Sequence, residues 1–267
     1  MNNLKIFQCE NSIDGIFSAI YQAWSSGYGH ANIRIEEQSE NDNYTNITLF
    51  SDYIIVKTDF EQAMKVSQSI KSKISLEAYE MVCRVALSNY QSKGDLIYRF
   101  LILGFHVGSK VVGYLSNEVV NRVFKLNRYV NGEAHHIMGF LRFSEQENGI
   151  LTSVIHPKNN ILTLITPHFA DRLPMERFVI IDGNRNICSL HLPGRPWVLA
   201  EVPNIKSTYH ETIMDDNNDE YEELWRVFFD NIAIKERINP GLQRNNLPIR
   251  FRRDMTEFIP RENIQIL

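Results

Sequence analysis

Residues 133–143 read Glu-Ala-His-His-Ile-Met-Gly-Phe-Leu-Arg-Phe, and the fold that we predict depends on this stretch. Before it, apolar residues recur at the three- and four-residue spacing of amphipathic helices. From Ile137 onward they come in short runs separated by turn sequences, which is typical of strands. The stretch therefore marks the predicted junction between a helical part and a sheet.

The part before the junction is predicted to be helical from residue 59 to residue 131. Ser75 is a candidate N-cap, and the helix after it is expected to bury Leu76, Tyr79, Val82, Ala86 and Tyr90. After a break at residues 93–95, residues 96–107 are apolar nearly all round, which indicates a central buried helix. A further helix after Ser116 is expected to turn four valines inward: Val119, Val120, Val123 and Val130.

The part after the junction predicts a small, mostly antiparallel sheet. Turn sequences at 147–149 and 182–184 separate apolar runs in the manner of hairpins. A short helix or an irregular segment is expected at Ile161–Arg172. The predicted strands are Ile137–Phe143, Leu151–Ile155, Phe178–Ile181, Ile187–Leu192 and Trp197–Val202. The fold class is therefore α+β, with a helical bundle packed on the sheet.

Two domains are predicted. Residues 1–72 form an acidic N-terminal α/β segment with a strand at Leu4–Cys9, a helix at Asp14–Trp24, a loop at 36–44 and a strand at Tyr53–Lys57. Residues 73–267 form the core α+β domain. An amphipathic helix that starts near Tyr221 and ends at Pro240-Gly241, followed by a basic tail, is expected to close this core domain.

Composition excludes several classes of protein. With 43% hydrophobic and 22% charged residues, the 267-residue chain is expected to be folded and soluble. Its apolar runs are far shorter than the roughly 18 residues that span a bilayer, and its first residues do not resemble a secretory signal. Three separated cysteines fit a reducing compartment. We predict a cytoplasmic protein with no membrane association, no cofactor and no metal site.

Charge is unevenly distributed although the net charge is only −4. Residues 93–142 carry seven Lys and Arg against three Asp and Glu, and residues 226–261 carry eight against four. Two basic segments of this kind are candidates for a phosphate-binding face. The alternative is that these charges are solvated and lie apart on the surface.

The basic segments supply the candidate nucleic-acid-binding residues. Arginine binds phosphate in bidentate fashion, Asn and Gln amides read base edges, and Phe251 is a candidate for stacking on an unpaired base. In the alternative, Arg237 and Arg250 pair with the acids of residues 211–223, and Arg142 forms a salt bridge. The candidates are Arg122, Lys125, Arg128, His136, Arg142, Arg237, Asn239, Gln243, Arg250 and Arg252.

Acid–base catalysis has four candidate residues. Glu133 or Asp182 could fix the tautomer of His135 or His168, so that the imidazole transfers a proton. The alternative assigns Glu133 to the ordering of the turn after the helix and Asp182 to the start of a β-turn. The sequence contains no phosphate-binding loop, dinucleotide fingerprint, nucleophile elbow or H-E-x-x-H motif.

The spaced pattern Glu133-x-His135-His136-x-Met138-Gly139-Phe140-x-Arg142-Phe143 resembles the core signature of a bacterial family described as probable DNA metabolism proteins. The resemblance runs from about Ser75 to the end of the chain. Leu247 and Phe178 depart from it, because relatives often have Met and Trp there. Its further elements are Pro157, Pro167-His168-Phe169, Arg172, Asp182, Leu224-Trp225-Arg226, Ile234-x-x-Arg237-x-Asn239, Gln243 and Pro248-x-Arg250-Phe251.

Members of that family are typically encoded beside a radical S-adenosylmethionine (radical SAM) protein similar to DNA photoproduct lyases, and a related domain is fused to uracil-DNA glycosylases. The resemblance implies a DNA-binding accessory protein in DNA repair or modification that acts with a radical SAM partner. The partner would hold the iron–sulfur centre, because this chain lacks clustered cysteines. The alternatives are a DNA-processing enzyme of glycosylase or hydrolase type and a scaffold for the partner.

Overall fold

The computed structural model describes residues 3–38, 51–146, 149–201 and 246–258, together with Leu224, Gly241 and Arg244 as single positions. The chain divides into two compact units, Met1–Gly132 and Glu133–Leu267. The domain boundary predicted between residues 72 and 73 falls inside a helix of the first unit, Phe60–Lys73. The first unit is therefore longer than the predicted acidic segment.

The first unit contains a three-stranded parallel sheet. Strands β1 (Leu4–Cys9), β2 (Ile33–Glu37) and β3 (Ser51–Ile55) pair in the order β2-β1-β3. Helix α1 (Ile13–Ser25) follows β1, as predicted. Strand β2 was not predicted and includes the first two residues of the expected loop at 36–44; residues 39–44 lie outside the described part of the chain.

Three helices follow: α2 (Phe60–Lys73), α3 (Leu76–Ala86) and α4 (Lys93–Val107). The hydroxyl of Ser75 accepts a hydrogen bond from the Ala78 N–H at 3.0 Å, which confirms the predicted N-cap. The predicted buried face of α3 was partly wrong, because Leu76 is 60% exposed. The break predicted at residues 93–95 is instead the first turn of α4. The residues that α3 buries are Ala78, Met81, Val82, Val85 and Ala86.

The core of the first unit is apolar and combines the sheet with the helices. Phe7 and Ile35 of the sheet belong to one cluster of buried side chains that includes residues of all four helices. By length and composition the stretch Lys93–Gly113 could cross a membrane, a test that core helices also pass. Here α4 contributes a run of side chains to the core: Leu96, Ile97, Tyr98, Phe100 and Leu101.

Helix α5 (Glu118–Phe140) corrects the prediction for the junction. The strand predicted at Ile137–Phe143 was wrong, because residues 133–140 continue the helix and β4 covers only Ser144–Glu145. Its buried apolar side chains are spaced by three, four or seven residues, so they lie on one helical face. Val119 is half-buried. The buried apolar positions are Val120, Val123, Val130, Ala134 and Ile137, and Leu141 lies just beyond.

The second unit contains a five-stranded sheet in the order β4-β5-β6-β7-β8. The pair β5–β6 is parallel and the other three pairs are antiparallel. Helix α6 (Leu162–Arg172) connects β5 to β6. These findings confirm the α+β class and the mostly antiparallel sheet. The remaining strands are β5 (Leu151–Ile155), β6 (Phe178–Asp182), β7 (Ile187–His191) and β8 (Val198–Glu201).

The last described segment is residues 246–258. It contains the short helix α7 (Ile249–Arg252) and a single 3-10 turn at Thr256–Phe258. Gly241, which was predicted to end the amphipathic helix, is itself helical, and Leu224 is helical and exposed. The other residues of that predicted helix lie outside the described residues, as do Arg237, Asn239 and Gln243.

Candidate functional site

The carboxyl ends of the two parallel strands of the second unit lie side by side. Ile155 at the end of β5 pairs in register with Asp182 at the end of β6. The Gly183 N–H donates to the Ile155 carbonyl at 3.0 Å, which holds the two ends together. Ligands of sheets with parallel strands bind beyond these ends, so the residues that follow them are the first candidates for a site.

His156, directly after β5, is bound to Asp254 of the last segment. Its Nδ1 lies 2.7 Å from Asp254 Oδ1, and its main-chain N–H donates to Asp254 Oδ2 at 3.0 Å. The side chains are 22% and 14% exposed. Both carboxylate oxygens thus bind one residue, which fixes the position and orientation of the imidazole ring.

Glycine at position 183 leaves room for this ring. A Cβ atom there would lie 2.6 Å from His156 Nε2 and 2.9 Å from its Cδ2, closer than real Cβ contacts. Nε2 has no hydrogen-bond partner among the described residues, and it is not one of their buried unpartnered atoms. One nitrogen of His156 is therefore held by Asp254, and the other makes no hydrogen bond to a described residue and is not fully buried.

Glu133 is a buried carboxylate that orders the loop after β5. It is 2% exposed and accepts hydrogen bonds from the N–H groups of Lys158 and Asn159 at 3.1 and 2.9 Å. The Asn159 side-chain amide adds a third at 2.7 Å. Arg250 Nη2 lies 3.7 Å from Glu133 Oε1. These contacts favour a structural role for Glu133, in which it orders a loop, over a role in catalysis.

Asp182 is also fully buried and also organises a turn. It accepts from the Asn184 N–H at 2.9 Å and from Arg185 Nη1 at 2.8 Å. Arg185 also donates to the carbonyl oxygens of Pro157 and Lys158, so it joins the β6–β7 turn to the loop after β5. The contacts of Asp182 match the alternative reading, in which it begins a β-turn.

His135 and His168, the two other predicted catalytic residues, are exposed on α5 and α6. The ring of His168 contacts Phe169 edge-on at 5.1 Å. Over the described ranges, neither imidazole has a polar contact with Glu133 or Asp182. The structure therefore does not join the four predicted catalytic residues in one hydrogen-bonded group.

Two predicted nucleic-acid-binding residues lie near the end of α5. Arg142 Nη2 binds Glu257 Oε1 at 2.9 Å, and the Glu257 side chain is only 2% exposed. The ring of His136 stacks on Phe140 and meets Phe251 edge-on, with centroid distances of 5.8 and 5.5 Å. Phe251 is 5% exposed, so its predicted stacking on a base is wrong. These contacts fix residues 246–258 to the end of α5 and to Arg142, within the second unit.

Three arginines in and after α7 differ in their surroundings. The Arg250 side chain is 36% exposed and that of Arg253 is 56% exposed. The guanidinium of Arg252 lies over the Phe258 ring at 5.0 Å. Its Nε is buried and has no hydrogen-bond partner in the part of the chain that the structure describes. Arg252 is thus a half-buried cation without an ion pair to a described carboxylate.

Three of the predicted nucleic-acid-binding residues lie on the part of α5 that belongs to the first unit. Arg122, Lys125 and Arg128 are all exposed. Arg122 donates to the hydroxyl of Tyr90 at 3.2 Å, and Arg128 lies 5.9 Å from the Phe124 ring. No carboxylate within the described ranges pairs with these three side chains.

The sequence interpretation missed the acidic partners of the last segment. Asp254 and Glu257 pair with His156 and Arg142, which lie 98 and 115 residues earlier. No local spacing indicates pairs so far apart in the chain. Arg253 follows Arg252 directly in the basic tail but was not in the predicted set of nucleic-acid-binding residues. Among the described residues, no three His, Cys, Asp or Glu side chains form a metal-binding group.

Comparison with known proteins places this site within a family domain. A family model described as a domain of unknown function, DUF4130, matches residues 91–257. The match begins before α4 and ends at Glu257, so it includes the contacts described above for the second unit except the one between Arg252 and Phe258. No curated protein matches the chain.

Proposed function

The chain belongs to the DUF4130 family, and we propose that it is a DNA-binding accessory protein whose second unit holds phosphate groups with the arginines of residues 250–253. This set keeps the two arginines predicted from the sequence, Arg250 and Arg252, and adds Arg253. Arg142 is removed from the phosphate-binding set, because its guanidinium binds the buried carboxylate of Glu257.

The observation that carries the proposal is the Arg252 guanidinium. Its Nε atom is buried and unpartnered among the described residues, and an unmade hydrogen bond of this kind costs about 1 to 3 kcal/mol. A phosphate group accepts two parallel N–H bonds from one guanidinium and carries the opposite charge. The terminal Nη groups of Arg252 likewise make no hydrogen bond to a described residue, so a phosphate bound there would give this cation the charged partner that the described part of the chain does not supply.

The neighbouring arginines support the same reading. Arg250 lies 3.7 Å from Glu133, beyond hydrogen-bond distance, and is partly exposed, so it can contact a second anion. Arg253 has more than half of its side chain exposed and contacts Asp254 through Nε at 3.3 Å. Three partly exposed cations within four consecutive residues favour a charged polymer as the ligand over a single small anion.

The accessory role and the radical SAM partner rest on the family resemblance of residues 133–143. The chain's own chemistry is compatible with that role. Its three free cysteines lie in separate elements, and burial raises the pKa of the Cys9 thiol to about 12. Burial also raises the pKa values of Cys83 and Cys188. Thiols of this kind are poor thiolate ligands, so the radical chemistry is assigned to the partner.

The test is a binding titration of labelled single- and double-stranded oligonucleotides between about 50 and 200 mM salt. The logarithm of the affinity should fall linearly with the logarithm of the salt concentration. Arg252→Gln should weaken binding about tenfold and reduce the salt slope by about 1. Lys73→Gln removes one exposed cation of the first unit and is the matched control. Salt-independent affinity, or equal effects of the two variants, would contradict the proposal.

The second candidate function is a DNA-processing enzyme. The residues first predicted for it, Glu133, His135, His168 and Asp182, are not joined in one group. The specific observation that favours an enzyme is a different one, namely the contact between His156 and Asp254.

A further inference from the structure

We propose that His156 and Asp254 form a proton-transfer centre that acts on a phosphodiester held by the second unit. This inference rests on the proposed function, because the arginines of residues 250–253 would hold the substrate. His156 Nε2 is the atom that accepts the proton, and Asp254 is the residue that orients the ring. Neither residue was among the four predicted for catalysis.

The tautomer of His156 follows from its contacts. An ionised carboxylate only accepts hydrogen bonds, so Nδ1 carries the proton that it shares with Asp254 Oδ1 at 2.7 Å. In the neutral ring, Nε2 then holds the free electron pair. A carboxylate that fixes a histidine in this way also stabilises the imidazolium that forms when Nε2 takes a proton.

The surroundings of Nε2 leave this electron pair available. No described residue hydrogen-bonds to Nε2, and the atom is not fully buried. A side chain at position 183 would occupy the space beside it, because a Cβ there would lie 2.6 Å away. The main chain of Gly183 and the ring of His156 thus lie against each other at the carboxyl ends of β5 and β6.

The charges near this pair select the substrate class. Arg253 Nε lies 3.3 Å from the same Asp254 oxygen that binds His156. Lys158, two residues after His156, is exposed. Cations beside a proton acceptor suit an ester of phosphate, because they stabilise the charge that its oxygens gain in the transition state. Cleavage of a bond between two sugars uses a pair of carboxylates instead, and Glu133 and Asp182 are buried and already accept several hydrogen bonds each.

The reaction would be hydrolysis of one ester bond. As the oxygen of a water molecule bonds to phosphorus, one of its protons passes to His156 Nε2. The bond from phosphorus to the leaving oxygen then breaks, and its electron pair stays on that oxygen. The leaving oxygen, on the opposite side of phosphorus, takes a proton from solvent water, and the imidazolium releases its proton to solvent, which returns His156 to its neutral form. No oxidant, reductant or further reactant is required.

The experiment uses the full chain with labelled single-stranded DNA, double-stranded DNA and RNA, in the presence of a metal chelator that inhibits contaminating nucleases. We expect cleavage by the wild type and a loss of at least about 100-fold in rate for His156→Gln. Asp254→Asn keeps the size of the side chain but favours the wrong tautomer, so it should lower the rate by a similar or larger factor. His106→Gln changes an exposed histidine of the first unit and should leave the rate unchanged.

Two further measurements distinguish a failure of this inference from a failure of the proposed DNA binding. Nitrogen-15 spectra of the wild type should show the proton of His156 on Nδ1, whether or not the variants fold. DNA affinity of His156→Gln should stay within about twofold, because the arginines are intact. No cleavage of any substrate, or equal cleavage by His156→Gln, overturns the inference. If salt-dependent binding persists in that case, the proposed function stands alone; if binding is also absent, both are wrong.

Discussion

The two units of this chain use charged groups in opposite ways. In the first unit, Glu80 pairs with Arg84 and Asp95 pairs with Arg99. The partners in each pair are one helical turn apart and partly exposed, and the core of this unit is apolar. In the second, Glu133 and Asp182 are buried and bind main-chain N–H groups of loops. Apolar packing thus holds the first unit together, whereas buried carboxylates fix the loops of the second.

The largest expected effect comes from removing a buried carboxylate. Glu133→Ala leaves the N–H groups of Lys158 and Asn159 without their acceptor and leaves Arg250 without its carboxylate. It should lower the free energy of unfolding by about 3 to 5 kcal/mol. The matched change in the first unit, Glu80→Ala, should cost less than about 1 kcal/mol. Urea unfolding of both variants measures the difference, and equal losses would remove the contrast between the units.

The next largest effect on stability is expected from replacing one glycine in each unit by alanine. Gly183→Ala in the second unit forces the His156 ring away, because the new Cβ would lie 2.6 Å from Nε2. This should cost about 1 to 3 kcal/mol. Gly132→Ala in α5 meets no atom within 4 Å and should stabilise by about 0.5 to 1 kcal/mol. Thermal unfolding should therefore shift in opposite directions, and destabilisation by both substitutions would contradict this expectation.

The smallest effect concerns Glu37, where the first unit resembles the second. Its carboxylate accepts from the Gly94 N–H, and burial raises its pKa above 4.5. A raised pKa in the folded state means that its contribution to stability is present below 4.5 and is lost as the pH rises. Glu37→Gln does not titrate, so its stability relative to the wild type should increase between about pH 4 and 7. Urea unfolding of the wild type and of Glu37→Gln at both pH values tests this prediction. A difference in unfolding free energy that stays constant with pH would count against it.

The sequence predicted the elements whose signals are local. The Ser75 cap, the strand at Leu4–Cys9 and the turn at residues 182–184 follow from adjacent residues, and the structure confirms them. Strand β2 carried a readable signal too, because Ile33 and Ile35 alternate with polar residues. The error at residues 137–143 arose because a short apolar run fits a strand and a helix equally well. The buried positions 130, 134 and 137 together indicate the helix.

The candidate site was much harder to predict, because its contacts join residues far apart in the chain. No sequence pattern singled out His156, and its partner Asp254 lies 98 residues later. The predicted roles of Glu133 and Asp182 could be weighed only when their donors were known, and two of the three groups that donate to Glu133 are main-chain N–H groups. A main-chain donor leaves no trace in residue identity, so sequence patterns cannot report it.

The segment at residues 248–258 has a practical consequence for anyone who moves this domain into another protein. Through Arg250, Asp254 and Glu257 it supplies one partner each for Glu133, His156 and Arg142. A shortened chain that stops before Pro248 would remove the partners of the Glu133 carboxylate, the His156 imidazole and the Arg142 guanidinium together. A few terminal residues with little regular structure are therefore as indispensable to a transplanted domain as any of its strands.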